Sequence, residues 1–149
     1  MTQLNNSITI TGEVTISHFG ADGSLIEKKI VKNLVVTSGR SWVASRISSA
    51  GALAAGFLGV GIGSTAAALG NTTLQTALGA RIASNGGIAS GAVTTYTTTI
   101  TAGTASGALR EAGLFDSLTA GIMIARVTFG TLKKGAGDTV VISWAITAA

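Results

Sequence analysis

Hydrophobic and polar positions alternate strictly over residues 7–17, which read SITITGEVTIS. Isoleucine and valine fall on one side of this segment, and mostly threonine, serine and glutamate fall on the other. A period of two with β-branched residues on both faces predicts a half-buried β-strand. Asp22-Gly23 then supplies the positive φ angles that a tight turn needs, and the strand pattern resumes over residues 25–36. The chain is therefore predicted to open with a β-hairpin.

The pattern changes over residues 38–47, where the larger side chains recur three to four positions apart. This spacing predicts a helix of two to three turns, for which Thr37 or Ser38 could supply the N-terminal cap. We expect Trp42 to anchor the helix in the core, because a lone tryptophan in such a position more often packs than binds a ligand.

Further short strands are indicated between turns rich in glycine and hydroxyl residues. One helical turn is also expected over residues 73–78, inside a long loop. Eight or nine short strands at this spacing predict a single all-β domain over residues 7–149, an antiparallel β-sandwich or jelly-roll-like fold with one short helix. Residues 1–6 are expected to form a flexible N-terminal segment. The remaining strands are predicted at 56–63, 80–84, 92–101, 110–115, 121–129 and 139–147.

An uncharged stretch covers residues 47–80, and its part from 50 to 70 is long enough to cross a bilayer. Six glycines lie between positions 51 and 70, and each costs roughly 1 kcal/mol relative to alanine inside a helix. We therefore predict no membrane span. The stretch is instead interpreted as a buried strand whose glycines let another backbone or a bulky side chain approach closely.

Alanine, glycine, threonine and serine make up more than half of the chain, and only 11% of the residues are charged. No cysteine is present, which excludes disulfide scaffolds and thiolate metal sites. The net charge of +4 comes from scattered basic residues, apart from Lys28, Lys29 and Lys32, which follow Glu27. No aromatic residue is interleaved there, so we predict a solvated strand edge, whose lysines discourage unwanted pairing, and no specific nucleic-acid binding.

Candidate catalytic chemistry is scarce. His18 is the single histidine, and we expect it on the surface at the hairpin tip, where it cannot build a metal site alone. Residues 59–65 read GVGIGST, which suggests a phosphate-binding loop, but the dinucleotide fingerprint lacks its third glycine and the P-loop lacks its lysine.

The six acidic residues form no pattern of paired carboxylates. Arg110 and Glu111 are predicted to neutralise neighbouring charges near a sheet edge. Asp116 and Asp138 are predicted to shape turns by accepting hydrogen bonds from backbone N–H groups. We thus assign no catalytic, cofactor-binding or metal-ligating residue, and we predict that the protein is not an enzyme.

Several segments, in consistent order over roughly residues 30–147, resemble those of small virion structural proteins of tailed bacteriophages. The resemblance is carried by K-N-L-V-x-x-x-G-x-x-W-x-A-x-R at 32–46, G-x-G-x-x-x-A with T-x-L from 61 to 74, E-A-G-L-F at 111–115, M-x-A-R-x-x-F at 123–129, and the closing strand at 134–147.

The resemblance implies a structural role in the virion. The absence of cysteine suits assembly in the reducing host cytoplasm. We expect the major capsid protein or neighbouring virion proteins as partners. We expect a homo-oligomer that works as a capsid decoration (cement) protein, with residues 1–6 as a candidate arm. A tail, baseplate or fibre-attachment protein is the alternative. A receptor- or glycan-binding β module ranks lower, because it needs exposed aromatic residues and the chain has only seven aromatics.

Overall fold

The computed structural model describes residues 7–48 and 54–149, of which most lie in β-strands. The expected arm, residues 1–6, lies outside this part of the chain. The described elements are β1 (Ile10–Phe19), β2 (Leu25–Val35), α1 (Thr37–Ile47), β3 (Phe57–Gly61), β4 (Ile82–Ala83), β5 (Ile88–Ser90), β6 (Val93–Ile100), β7 (Gly107–Phe115), β8 (Met123–Lys134) and β9 (Thr139–Ala148).

The strands form a nine-stranded antiparallel sheet in the order β4-β3-β7-β8-β2-β1-β9-β6-β5. The sheet curls into a half-barrel, which confirms the all-β fold. Its two halves are continuous through a short join, because β2 pairs with β8 only at Leu34–Arg126 and Val35–Ala125. Beyond this join the two strands diverge, and the concave faces of the two halves enclose the core.

The core follows from the alternation along the strands. Val14 and Ile16 of β1 point inward beside Ile142 and Trp144 of β9, and all four side chains are buried. Side chains from β3, β7 and β8, such as Leu114, pack against them from the other half of the sheet. The opposite face of β6 and β9 carries mainly threonine, serine and alanine, as the sequence pattern predicts.

A second, smaller cluster lies on the other face of β3 and β7. Leu74, from the long loop after β3, packs there against Phe115, Met123 and Val36. The loop therefore covers this face of the sheet as a lid. We define the lid as residues 62–78.

The helix α1 confirms the predicted helix over 38–47 and packs on β8. The predicted cap is wrong, because the N-terminal cap position is Val36 and no side chain makes a capping hydrogen bond there. Ser38 Oγ instead donates to the carbonyl oxygen of Met123, 2.7 Å away, and so ties the helix to the sheet. Trp42 is half-buried against the edge of the core.

The other predicted elements are confirmed apart from one, and the structure adds one strand that the sequence pattern does not predict. The expected helical turn over 73–78 is wrong, because the N–H groups of Gln75 and Thr76 donate to the side chain of Glu111 and not to helical carbonyls. The short edge strand β5 was not predicted, because its three residues follow directly on the Asn85-Gly86-Gly87 turn. Within the described ranges, no helix is long and apolar enough to span a membrane.

Candidate interaction site

A buried ion pair lies between the sheet and its lid. Arg126 of β8 and Glu111 of β7 project from the same face of the sheet, and they are 1% and 0% exposed. The Nη2 and Nε atoms of Arg126 donate to Glu111 Oε2 at 2.7 and 3.0 Å. This two-point geometry fixes both side chains and is the strong form of an arginine–carboxylate pair.

The rest of the hydrogen-bonding capacity of Glu111 goes to the lid. Its carboxylate accepts hydrogen bonds from the backbone N–H groups of Gly63, Gln75 and Thr76, at 2.7–3.2 Å. These residues stand at the beginning and near the end of the lid. A single carboxylate thus fastens both ends of the loop to β7.

Arg126 holds the middle of the lid. It donates to the carbonyl oxygens of Thr65 and Ala66 and to the side-chain oxygen of Asn71. Together with the two bonds to Glu111, these contacts use all five N–H groups of the guanidinium. Because none of its donors is left over, we assign the arginine a structural role.

Opposing effects set the protonation state of the carboxylate. Burial raises the pKa of Glu111, but the N–H groups of Thr76 and Gln75 and the guanidinium of Arg126 favour the charged form. The net pKa lies below the ordinary value of a glutamate. The carboxylate is therefore ionised at neutral pH, and the guanidinium beside it balances its buried charge.

Close approach of the lid depends on missing side chains in β3 and the residues after it. A Cβ atom on Gly61 would overlap the carbonyl oxygen of Thr76, and one on Gly63 would lie 2.6 Å from both Gln75 Cβ and Glu111 Oε1. The interpretation of these glycines as positions of close approach is confirmed. The segment 59–65 is thus shaped by the lid that folds back over it.

The lid presents apolar side chains outward. Ile62 is 41% exposed and Leu69 is 45% exposed. The backbone of Leu69 is fixed, because its carbonyl oxygen accepts a hydrogen bond from Thr37 N–H at the start of α1. We call these two exposed side chains the lid patch, and the loop that carries them is hydrogen-bonded to β7, β8 and α1.

A cavity of about 480 Å³ opens beside the lid, between Leu74, Arg81 and the turn after β7. The guanidinium of Arg81 stacks on the ring of Phe115, 3.5 Å from its centroid, and Nη1 donates to the carbonyl oxygens of Ser117 and Ala120. Burial lowers the pKa of Arg81 and the charge of Asp116 opposes this. The arginine joins the segment after the lid to the turn.

The expected surface position of His18 is wrong. The side chain is 3% exposed and lies on the inner face of β1, where its Nε2 is 2.8 Å from Asp138 Oδ2. An ionised carboxylate can only accept, so Nε2 is the donor of this hydrogen bond. On the other side, Nδ1 lies 3.8 Å from Glu27 Oε1. The histidine therefore links the hairpin to the β8–β9 turn.

Three acidic residues were given roles from the sequence, and the structure confirms two of these predictions and contradicts the third. Asp116 and Asp138 shape turns as predicted, by accepting from the N–H groups of Ile122 and Gly135. The side-chain hydrogen bond from His18 and the backbone bond from Gly135 lower the pKa of Asp138. The prediction that Glu111 lies near a sheet edge is wrong, since β7 is an interior strand.

Arg126 was not recognised from the sequence. The signal was present, because a charged residue interrupts the apolar strand segment MIARVTF and needs a buried partner there. Over the ranges that the structure describes, no group of three or more His, Cys, Asp or Glu side chains could hold a metal ion. The arrangement immobilises a loop, and we find no nucleophile poised beside a base within it.

Comparisons with known proteins give no relative: no family model, no curated protein and no solved structure matches the chain.

Proposed function

We propose that the chain is a non-enzymatic structural protein of a tailed-phage virion, a capsid decoration protein that binds the major capsid protein and stabilises the head. One observation carries the proposal. Separate segments of the resemblance meet in one network: Glu111 comes from E-A-G-L-F, Arg126 from M-x-A-R-x-x-F, and Gly63 with Thr65 from the G-x-G-x-x-x-A region. The residues that carry the likeness therefore build a fixed loop.

A fixed loop suits a protein whose work is to bind a neighbour. Ordering a flexible segment on binding costs free energy, and a loop that is already held by several hydrogen bonds avoids that cost. The lid patch offers apolar side chains in a defined geometry, and burial of such side chains supplies affinity. The low fraction of charged residues permits many copies to lie side by side on a particle with little repulsion.

Copy number per particle tests the proposal. Particles of the phage that encodes the chain would be purified, and the protein quantified by mass spectrometry against the major capsid protein with isotope-labelled peptides. A decoration protein is expected in numbers comparable to those of the capsid protein. A handful of copies per particle would place the chain in the tail or baseplate and overturn the head assignment.

The lid patch can be tested on shells assembled without the protein. Adding the purified chain should decorate them, and Ile62→Ser with Leu69→Ser should weaken binding at least tenfold, or ~1.4 kcal/mol. The matched control is Ile88→Ser, which changes an exposed isoleucine on β5, outside the lid, and should alter affinity less than twofold. Equal binding by both variants would rule out the lid patch as the contact.

A further inference from the structure

The edge of β2 that faces β8 is open over most of its length. Residues 25–33 of β2 pair with β1 on one side. On the other side β2 pairs with β8 only at Leu34 and Val35, and the two strands then separate. An unpaired edge presents alternate backbone N–H and C=O groups that can pair with another strand.

The side chains along this edge have a distinct character. Ile26, Lys28, Ile30 and Lys32 alternate with the inward-facing residues of β2, and all four are exposed, Ile30 by 61%. Across β1, Ile30 stands opposite Thr15 and Lys28 opposite Ser17. The outer side of the edge is therefore a row in which isoleucine alternates with lysine.

A second copy of this chain is a poor occupant. For two β2 edges related by a two-fold axis, the registers nearest the middle of the edge are centred on Lys28, Lys29 and Ile30. The first two place a lysine opposite itself, and the third places Lys28 opposite Lys32. Like charges directly opposite each other destabilise a strand pair. The lysines thus oppose self-pairing in these central registers.

The same lysines favour a strand of opposite charge. An added strand would place its outward side chains beside Ile26, Lys28, Ile30 and Lys32, where cross-strand pairs of opposite charge and of apolar residues are stabilising. We propose that the free edge of β2 accepts an extended segment of a neighbouring protein in which acidic and apolar residues alternate, by β-strand addition. This rests on the proposed function only for the source of the segment, a neighbour in the particle.

The test uses the full chain and a nine-residue peptide in which valine alternates with glutamate. Titration calorimetry should detect binding, and amide hydrogen exchange should slow over residues 25–33. A peptide of the same sequence, N-methylated at two adjacent central residues, cannot pair along either edge and should bind at least tenfold more weakly. A peptide in which lysine replaces glutamate should also bind at least tenfold more weakly.

Charge reversal gives the matched variants. Lys28→Glu with Lys32→Glu should weaken binding of the glutamate peptide at least tenfold and strengthen binding of the lysine peptide. Arg40→Glu with Arg110→Glu makes the same change in net charge at exposed positions elsewhere and should change affinity less than threefold. If both double variants changed peptide affinity equally, net charge and not the β2 edge would account for the attraction, and the proposal would be overturned.

Two further outcomes would also overturn it: no binding of the glutamate peptide, or dimerisation of the chain through β2. Neither outcome bears on copy number in the particle. If the glutamate peptide does not bind while the protein still decorates shells, only the proposal about the β2 edge is overturned. If the peptide binds and the protein is rare in the particle, the head assignment falls and the edge proposal stands.

Discussion

Glu111 Oε2 lies 2.7 Å from Arg126 Nη2 between two neighbouring strands, where both side chains are buried. The pair is the only ion pair of the described residues in which both partners are almost fully enclosed. Removing one member leaves the other as an uncompensated buried charge. Such a loss commonly costs about 3–5 kcal/mol, whereas an exposed ion pair is worth about 0–1 kcal/mol.

We therefore expect Glu111→Gln to lower the free energy of unfolding by about 3 kcal/mol, measured by urea denaturation. Backbone amides of the lid should exchange faster in the same variant, because three of them lose a charged acceptor. Arg110→Gln is the matched control, since Arg110 is the exposed neighbour and should change stability by about 0.5 kcal/mol or less. Equal stability of the two variants would contradict a structural role for the pair.

Acid should weaken the link between His18 and Asp138. Hydrogen bonds from His18 and Gly135 lower the pKa of Asp138 in the folded protein. The unfolded chain then binds more protons in the acid range, so this contribution is present above about pH 4 and is lost as pH falls through the lowered pKa. Glu111, whose pKa is also lowered, contributes with the same sign.

The measurement is the difference in unfolding free energy between the wild type and Asp138→Asn across pH 2–7. We expect the wild type to be more stable at neutral pH and the difference to shrink toward zero at the acid end. A difference that grows as pH falls would show that the carboxylate of Asp138 does not favour the charged form in the folded protein.

The strands can be predicted from the sequence because the alternation that marks them is a local pattern. Ile16 and Ile142 lie on the inner face as the period of two requires, and Asp22-Gly23 forms its turn. The curl of the sheet cannot be predicted in this way, because it depends on where β2 stops pairing with β8. That register joins residues about 90 positions apart in sequence, which no local pattern encodes.

The candidate site was hidden for a related reason. Glu111 and Arg126 lie on adjacent strands, but a register shift between Leu109 and Glu111 sets which face Glu111 occupies. The lid then buries a charge that the sequence pattern placed near a sheet edge. Similarly, His18 was assigned to a hairpin tip, although β1 continues to Phe19 and carries the histidine inward. In both cases a long-range partner decided the burial.

Arg81 offers a test of the connection between the segment after the lid and the turn that follows β7. Its guanidinium both stacks on Phe115 and donates to two turn carbonyls. Arg81→Lys keeps the charge but loses the planar stacking and the forked donors. We expect a loss of about 1–2 kcal/mol in unfolding free energy and faster amide exchange at residues 117–120.

The control for this prediction is Arg110→Lys, whose side chain donates to Thr131 Oγ1 at the surface and should tolerate the exchange. If both lysine variants were as stable as the wild type, stacking on Phe115 would contribute nothing measurable.

Replacing Gly39 by alanine should destabilise the protein, although alanine usually stabilises a helix relative to glycine. Alanine normally stabilises a helical position by about 1 kcal/mol relative to glycine. At Gly39, however, a Cβ atom would overlap the carbonyl oxygen of Ile124, because the helix lies directly on β8. Backbone cannot move aside as a flexible side chain can, so Gly39→Ala should lower the free energy of unfolding by about 1–3 kcal/mol, measured by urea denaturation.

The matched control is Gly70→Ala, where a Cβ would meet nothing within 4 Å. The two variants make the same chemical change and differ only in the space around the new Cβ atom. If Gly39→Ala stabilised the protein, α1 would not pack on β8 at this distance.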